Sequence, residues 1–212
     1  MTAISDARFW DRTARKYAAS AVADPEGYER TLARTLGFLR KNHSVLELGC
    51  GTGTTALRLA HAARSYLATD ISEAMIAIAS DRLREAPCPG LAFRQAVAED
   101  FLAGDDRFDV ILGFNYLHLT RDPRATLRTI RRLLKPEGIF ISKTPCVGEM
   151  NLLIRRLLLP AMRAVGKAPH VSVFSVNELK QLMSDEAFTI AELENHASKG
   201  SKARPFVVAV KA

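Results

Sequence analysis

The sequence has few cysteines, and none of them belongs to a recognisable motif. Cys50, Cys88 and Cys146 are scattered along the chain, with no C-x-x-C pair and no cysteine–histidine cluster. Structural zinc sites need such clusters, and disulfide-stabilised scaffolds need a denser set of cysteines. The sequence therefore predicts no metal site and a protein that works in a reducing compartment, the cytoplasm.

Long apolar segments are also absent. Residues 1–8 contain no apolar core of a secretory signal, and no uninterrupted apolar run is long enough to span a bilayer. We therefore expect a cytoplasmic protein, whose contact with a membrane would at most be peripheral.

Signatures of nucleic-acid binding are missing as well. The net charge is +7, but neither zinc-finger spacing nor an aromatic-rich strand motif accompanies it. Charge of this size also serves solubility or attraction to an anionic membrane surface. We expect no nucleic-acid partner, and no sequence pattern indicates an oligomeric state.

The length is that of one domain with a substantial core. With 212 residues and ordinary apolar and charged fractions, a single domain over residues 1–212 is the simplest organisation. Within it we distinguish N-terminal helices over residues 5–40 and a basic, apolar helical insertion over about residues 149–173.

The most informative stretch is Val45–Thr54, which reads V-L-E-L-G-C-G-T-G-T. Its first four residues end an apolar strand, the glycines form a tight turn, and a helix begins near Ala56. Strand, glycine turn and helix form the opening βα unit of nucleotide-binding folds, where glycines let the backbone approach a ligand. A dinucleotide-binding fingerprint would need a glycine at position 54, where this sequence has Thr54.

An acidic residue, Glu47, precedes the first glycine of this turn by two positions. The resulting pattern E-x-G-x-G-x-G resembles motif I of the class I S-adenosylmethionine (SAM)-dependent methyltransferases. The resemblance implies an α/β fold: a Rossmann-like seven-stranded, mostly parallel sheet with helices on both faces and an antiparallel last strand. It also implies SAM as the cofactor, with Glu47 placing its ammonium group. The turn residues would lie against its aminoacyl part: Gly49, Cys50, Gly51 and Gly53.

A second acid follows the next expected strand, Ser65–Thr69. Asp70 lies 21 positions after Gly49, where nucleotide-binding folds place an acid on the ribose hydroxyls. We assign Asp70 and the neighbouring Ile71 to the cofactor site. An acid here suits NAD and SAM equally, and helix capping is the alternative role, although Ser72 is the better cap.

The expected third strand, Leu91–Ala98, departs from the family pattern at its end. The family often has an aspartate here that meets the adenine amino group, whereas this sequence has Val97. The resemblance then implies that the backbone of Ala98 and Glu99 holds adenine. Either Glu99 or Asp100 would be the side-chain partner.

The fourth expected strand, Phe108–Phe114, is a nearly continuous apolar run typical of buried parallel strands. The next residues, N-Y-L-H-L, resemble the loop that follows strand four in the family. Since ligands bind at the carboxyl ends of such strands, we assign Asn115 to the cofactor and His118 to catalysis, as a general base. A loop histidine bonded to backbone is the alternative for His118.

Two further segments resemble the family. Residues 9–17, F-W-D-R-T-A-R-K-Y, are similar to a helix that covers the cofactor in quinone- and lipid-modifying methyltransferases. This resemblance implies that Tyr17 positions the cofactor or the acceptor, and an amphipathic helix packed on the sheet is the alternative. Residues 133–140, L-L-K-P-E-G-I-F, resemble the segment before strand five, and the preceding helix carries a basic solvent side.

The insertion is unusual because residues 150–173 contain no acidic residue. One helical face mixes leucine and arginine, at Leu152, Arg156, Leu159 and Arg163. We hypothesise that residues 150–167 form a lid that touches a membrane surface or a lipid-like acceptor. Absence of liposome co-sedimentation, for the wild type and for R156E/R163E alike, would remove the membrane version. Packing against its own domain or a partner is the alternative, and His170 is a second candidate for catalysis.

The sequence thus predicts a SAM-dependent methyltransferase with a small-molecule acceptor, and it modestly favours a hydrophobic or lipid-like one. A non-catalytic SAM-binding partner or regulatory subunit is one alternative, and an NAD(P)-dependent oxidoreductase is another. Methylation of nucleic-acid bases is disfavoured because no N/D-P-P-Y/F motif follows strand four.

Overall fold

The computed structural model describes residues 3–149, 168–198 and 203–212. Its helices are α1 (Ala3–Ala19), α2 (Pro25–Leu36), α3 (Thr54–Leu59), α4 (Glu73–Glu85), α5 (Pro123–Leu133) and α6 (Val176–Asp185). Its strands are β1 (Ser44–Leu48), β2 (Ser65–Asp70), β3 (Leu91–Gln95), β4 (Phe108–Phe114), β5 (Leu134–Lys143), β6 (Phe188–Asn195) and β7 (Pro205–Lys211). Short 3₁₀ helices lie at Ala60–Ala62, Ala98–Phe101, Leu117–Leu119 and Val147–Glu149.

The strands form one sheet in the order β3-β2-β1-β4-β5-β7-β6. Strands β1 to β5 pair in parallel, and β7 runs antiparallel to both of its neighbours. The predicted seven-stranded, mostly parallel architecture is therefore confirmed. The strand order reverses between β1 and β4, and such a switch point opens a crevice at the carboxyl ends of the strands.

Alternating residues of the strands supply two hydrophobic cores, one on each face of the sheet. In β1, Leu46 and Leu48 join the core that contains Leu127 of α5. Val45 belongs to the other core, together with Leu59 of α3. Because both faces are covered, strand β4 is apolar along most of its length.

Two predicted boundaries were wrong. Strand β3 ends at Gln95 instead of Ala98, because the chain turns into a 3₁₀ helix in which the Asp100 carboxylate accepts the Val97 N–H (2.9 Å). The L-K-P-E-G segment lies inside β5, not before it. Its first residue, Leu134, pairs with Phe108 ahead of a register shift in the β4–β5 ladder.

The basic side of α5 is not simply solvated, as the sequence had suggested. Arg124 donates to the Asp185 carboxylate at 2.6 Å, and Arg128 donates to the Glu186 carboxylate at 3.0 Å. Both acids lie at the carboxyl end of α6. These ion pairs therefore join the two helices that cover this face of the sheet.

The glycine at the start of α3 generates the first prediction. Gly53 has a φ of +77°, and a Cβ there would lie 2.6 Å from the Phe93 ring and 2.8 Å from the Ala79 Cβ. We expect Gly53→Ala to lower the free energy of unfolding by at least about 2 kcal/mol, from backbone strain and overpacking. The midpoint of urea denaturation measures this.

The control is Gly104→Ala, because a Cβ at Gly104 would meet its nearest atom only at 3.9 Å. That variant should stay within about 0.5 kcal/mol of the wild type. Equal midpoints for the two variants would contradict the packing argument.

Candidate active site

A cavity of about 680 Å³ opens at the carboxyl ends of β1, β2 and β4. Its volume is within the usual range for sites that bind small molecules. The cavity extends across the sheet, so its lining residues divide into a β2–β3 side and a β5–β7 side. The residues on the first side are Gly49, Gly51, Asp70, Ile71 and Glu99, and those toward the second are Asn115, His118, Leu119, Pro145, Pro169, Val171 and Arg204.

The glycine turn forms one wall of this cavity through its backbone. Gly49 has a φ of +70°, and a Cβ there would lie 2.8 Å from the Tyr116 ring. Gly51 has a φ of +54° and faces the ring of Tyr17, which lies 3.6 Å from the position of a Cβ. Glycine is therefore required by backbone conformation at both positions and by Tyr116 at Gly49.

Asp70 ties this turn to the loop before α4. Its Oδ2 accepts the Gly51 N–H, and its Oδ1 accepts the Ser72 N–H, both at 2.9 Å. Burial raises the pKa of Asp70, and the two backbone N–H groups oppose that rise. Each carboxylate oxygen keeps acceptor capacity for a hydroxyl group of a ligand in the cavity. Ser72 caps α4 as predicted, since its Oγ accepts the Met75 N–H at 3.1 Å.

Four predicted cofactor residues lie behind the cavity wall. Glu47 is 2% exposed and accepts the Tyr66 hydroxyl at 2.8 Å, and burial raises its pKa from 4.5 to about 7. Cys50 is buried in the core, and burial raises the pKa of its thiol. Gly53 is the N-cap residue of α3, and Ala98 is fully buried.

On the β3 side, the structure separates the two acids that were candidates for adenine. Glu99 lines the cavity, whereas Asp100 accepts the Val97 N–H as a cap. Ala96 and Val97 also line the cavity, and sequence reasoning did not assign either of them. Their contribution depends on where β3 ends, which the sequence pattern did not show.

Helix α1 covers the cavity and is held at several points. Asp11 Oδ1 accepts the Ser72 hydroxyl at 2.7 Å and the Ala74 N–H at 3.2 Å. Nearer its N-terminus, Asp6 pairs with Arg121 at 2.5 Å, in the loop before α5. Asp6 and Arg121 also line the cavity, and no sequence pattern predicted this contact.

Two aromatic residues of α1 face the cavity. Trp10 and Tyr17 are both in its wall, with their rings edge to face at a centroid distance of 6.3 Å. Tyr17 is partly buried, with 51% of it still exposed. This partial burial raises the pKa of its hydroxyl, and the charges of Asp70 and Glu47 raise it further. Tyr17 is therefore a neutral phenol beside two acids.

His118 lies in the 3₁₀ helix Leu117–Leu119 and lines the cavity. Its Nδ1 is 3.0 Å from the Thr144 hydroxyl oxygen, which also accepts the His118 backbone N–H at 3.3 Å. Burial, and after it the charge of Arg204, lowers the pKa of His118 from 6.5 to about 4. The imidazole is therefore neutral at neutral pH.

His170 is less well placed for chemistry. Its Nε2 lies 3.1 Å from the Ser172 hydroxyl. Its neighbours Pro169 and Val171 line the cavity, whereas His170 does not. Ser172 donates its N–H to the His118 carbonyl at 2.7 Å, which holds this segment against the His118 loop. The proposed lid, residues 150–167, lies outside the described residues.

The described residues contain neither a metal cluster nor a membrane span. Within residues 3–149, 168–198 and 203–212, no three His, Cys, Asp or Glu side chains could hold a metal ion together. In the same ranges, no helix combines the length and hydrophobicity needed to cross a bilayer.

A Rossmann-like sheet, a glycine turn, an acid at the end of β2 and a cavity at the switch point together define a class I SAM-dependent methyltransferase fold. A family model described as a methyltransferase domain matches residues 15–193. The chain belongs to this family of methyltransferase domains. The predicted family and its cofactor, SAM, are confirmed.

Several known proteins are similar to this chain. The uncharacterized methyltransferase YcgJ of Bacillus subtilis is 29% identical over 161 residues, which cover 73% of this chain and 64% of that protein. A ubiquinone biosynthesis O-methyltransferase of Cereibacter sphaeroides is 29% identical over 117 residues, which cover 55% and 46%. The chain therefore spans about half to two thirds of the length of these relatives.

Solved structures show the same fold. The crystal structure of YcgJ has a TM-score of 0.66 at 21% identity and covers 86% of this chain and 94% of its own. Magnesium protoporphyrin IX methyltransferase from Synechocystis, solved with bound SAH, has a TM-score of 0.71 at 18% identity and covers 98% and 95%. The family match favours a methyltransferase over the NAD(P)-dependent oxidoreductase alternative. None of these similarities supports the alternative of a non-catalytic subunit.

The buried acid Glu47 gives a prediction about pH. Below pH 4.5 it is protonated in both the folded and the unfolded state. Between pH 4.5 and about 7 only the folded state keeps the proton, so stability falls as the pH rises. We expect Glu47→Gln to remove this loss and to raise the free energy of unfolding at pH 8 by up to about 3 kcal/mol.

The same variant should bind SAM about tenfold more weakly, if Glu47 places the ammonium group. Urea denaturation at about pH 5 and pH 8 and calorimetric titration with SAM measure the two effects. Glu85→Gln is the control, because Glu85 is exposed. A Glu47→Gln variant that is less stable than the wild type at pH 8 would show the pH argument to be wrong.

Proposed function

We propose that this protein transfers the methyl group of SAM to a small, largely apolar acceptor. The observation that carries the proposal is the continuity of the cavity. The glycine turn and Asp70 line it on the β2–β3 side, and His118 lines it beyond the switch point. A single space therefore has room for a cofactor and for an acceptor beside it.

The cofactor would occupy the side lined by the glycine turn. Gly49 and Gly51 expose backbone there, Asp70 would offer oxygens to the ribose hydroxyls, and Ile71, Glu99 and Asn115 would contact the cofactor as well. Glu47 would act through the wall as a negative charge behind the turn. When bound, SAM supplies an electrophilic methyl group on a sulfonium.

The acceptor would lie toward the β5–β7 side. Leu119, Pro145 and Val171 give this part of the cavity apolar walls, and Trp10 of α1 contributes an aromatic surface. Methyl transfer requires alignment in a site with little water. Helix α1, tied down by Asp11, would supply this closure.

His118 would act as a neutral base or hydrogen-bond acceptor for the acceptor molecule. It lines the cavity, and its low pKa keeps it unprotonated at neutral pH. The same low pKa makes it a weak base, so it suits an acceptor that loses its proton easily, such as a phenol.

The comparisons support a small molecule as acceptor, because the relatives named for a substrate act in ubiquinone biosynthesis and on a magnesium porphyrin. We further propose one domain over residues 1–212, with the N-terminal helices covering the site. A lipid-like acceptor, peripheral membrane contact through residues 150–167 and a cytoplasmic location stay predictions.

The direct test is transfer of a labelled methyl group from SAM into host-cell extract, separated into lipid, polar small-molecule, protein and nucleic-acid fractions. We expect label in the lipid or small-molecule fraction. Asp70→Ala should lower SAM affinity at least about tenfold, because hydrogen bonds to a charged group are lost. Label only in protein or nucleic acid, or no label at all, would contradict the proposal.

A further prediction concerns His118. We expect His118→Gln to lower kcat by about 10²-fold, the effect of removing a general base. The wild-type rate should vary little between about pH 6 and pH 8, because His118 is already neutral there. His61→Gln, at an exposed histidine, is the control. Unchanged turnover in His118→Gln would exclude base catalysis by this residue.

A further inference from the structure

Arg204 is an exposed arginine that also lines the cavity, one residue before β7. It lies close enough to His118 and Lys143 for its charge to lower the pKa of both. Lys143 does not line the cavity; it donates to the Gly27 carbonyl at 3.2 Å and to the Thr31 hydroxyl at 2.7 Å. Arg204 therefore brings a positive charge to the acceptor side of the cavity.

Within the described residues, none of the acids of the cavity wall forms an ion pair with Arg204. Asp6 pairs with Arg121, and Asp122 accepts the Ala125 N–H at 2.9 Å as the cap of α5. Asp70 accepts two backbone N–H groups, and Glu99 follows β3, at the far side of the sheet from β7. Among the described residues, Arg204 forms no ion pair.

The rest of the chain holds no acidic partner either. Residues 1–2, 150–167 and 199–202 contain no Asp or Glu, as the printed sequence shows. In the sequence, the segments that precede Ala168 and Ala203 are basic, with Arg155, Arg156, Arg163 and Lys167 in the first and Lys199 and Lys202 in the second. A positive charge that has no acidic partner in the chain attracts an anionic group of a ligand.

We propose that the methyl acceptor carries an anionic group, a carboxylate or a phosphate, and that Arg204 binds it. This inference rests on the proposed function and adds the chemical class of the acceptor. The planar guanidinium offers paired donors that match either anion. The acceptor is then an apolar molecule with an acid group, and Arg204 selects it against neutral analogues.

The test uses full-length protein saturated with SAH, so that only the acceptor side is open. The probes are benzoate, its neutral analogue benzamide, and phenyl phosphate, titrated at millimolar concentration and followed by ligand-observed NMR. We expect benzoate or phenyl phosphate to bind at least about tenfold more tightly than benzamide, a difference of about 1.4 kcal/mol. Whichever anion binds more tightly identifies the group.

The variants decide whether Arg204 is responsible. Arg204→Gln should abolish the preference for the anion, and Arg204→Lys should keep part of it. Arg64→Gln is the matched control, since Arg64 is exposed and precedes β2, at the opposite end of the sheet from the cavity. Equal binding of benzoate and benzamide, no binding of either anion, or the same affinities in Arg204→Gln and Arg64→Gln would overturn the inference.

The two proposals fail in different ways. SAH affinity, measured on each variant, should stay at the wild-type value in Arg204→Gln, which shows that the cofactor side is intact. If wild-type protein labels no small molecule but binds benzoate through Arg204, the proposed activity is wrong and the anion site stands. If it labels an acceptor while Arg204 has no effect on anion binding, only this inference fails.

Discussion

The carboxylate of Asp70 is the interaction on which the site depends. It accepts N–H groups from Gly51 and Ser72, which joins the glycine turn after β1 to the loop after β2. The Ser72 hydroxyl in turn donates to Asp11, and this ties helix α1 to the same point. The turn, the β2 loop and the helix that covers the cavity therefore meet at one acidic residue, and a change there would affect all three.

Charge is distributed unevenly along the cavity, and this follows from the sheet order. Acids cluster around the turn, where burial raises the pKa of Glu47 and of Asp70. Burial of a charged carboxylate lowers the free energy of unfolding. Acids with a raised pKa are common at functional sites, and these would attract a cationic ligand. The ammonium and sulfonium groups of SAM are cations of this kind. On the other side Arg204 is positive and His118 is neutral, so the two ends differ in the charge that they attract.

Several strands could be located in the sequence because parallel strands buried on both faces leave a strong apolar pattern, whereas the seven-stranded architecture was implied by the resemblance to the family. The errors of the sequence prediction lay where a side-chain hydrogen bond or ion pair decides the structure. Strand β3 stops early since Asp100 caps the following 3₁₀ helix, and periodicity does not report such a cap. The basic side of α5 was expected in solvent, yet Arg124 and Arg128 meet acids about 60 residues later in the chain. The Val97–Asp100 cap is local but leaves no periodic pattern, whereas the ion pairs of α5 join residues that are far apart in the sequence.

What the sequence alone determined is the βα unit around Gly49 and Gly51, the acid Asp70, and the family to which they belong. These features depend on local backbone conformation and short spacing, so they can be found in one segment at a time. Only the tertiary structure decided that Glu47 lies behind the cavity wall, that Asp6 and Arg121 meet across the cavity, and that Arg204 lies near His118. Burial of Glu47 depends on the elements packed around β1, and the Asp6–Arg121 and His118–Arg204 pairs join residues far apart in the sequence, so only the folded chain brings them together.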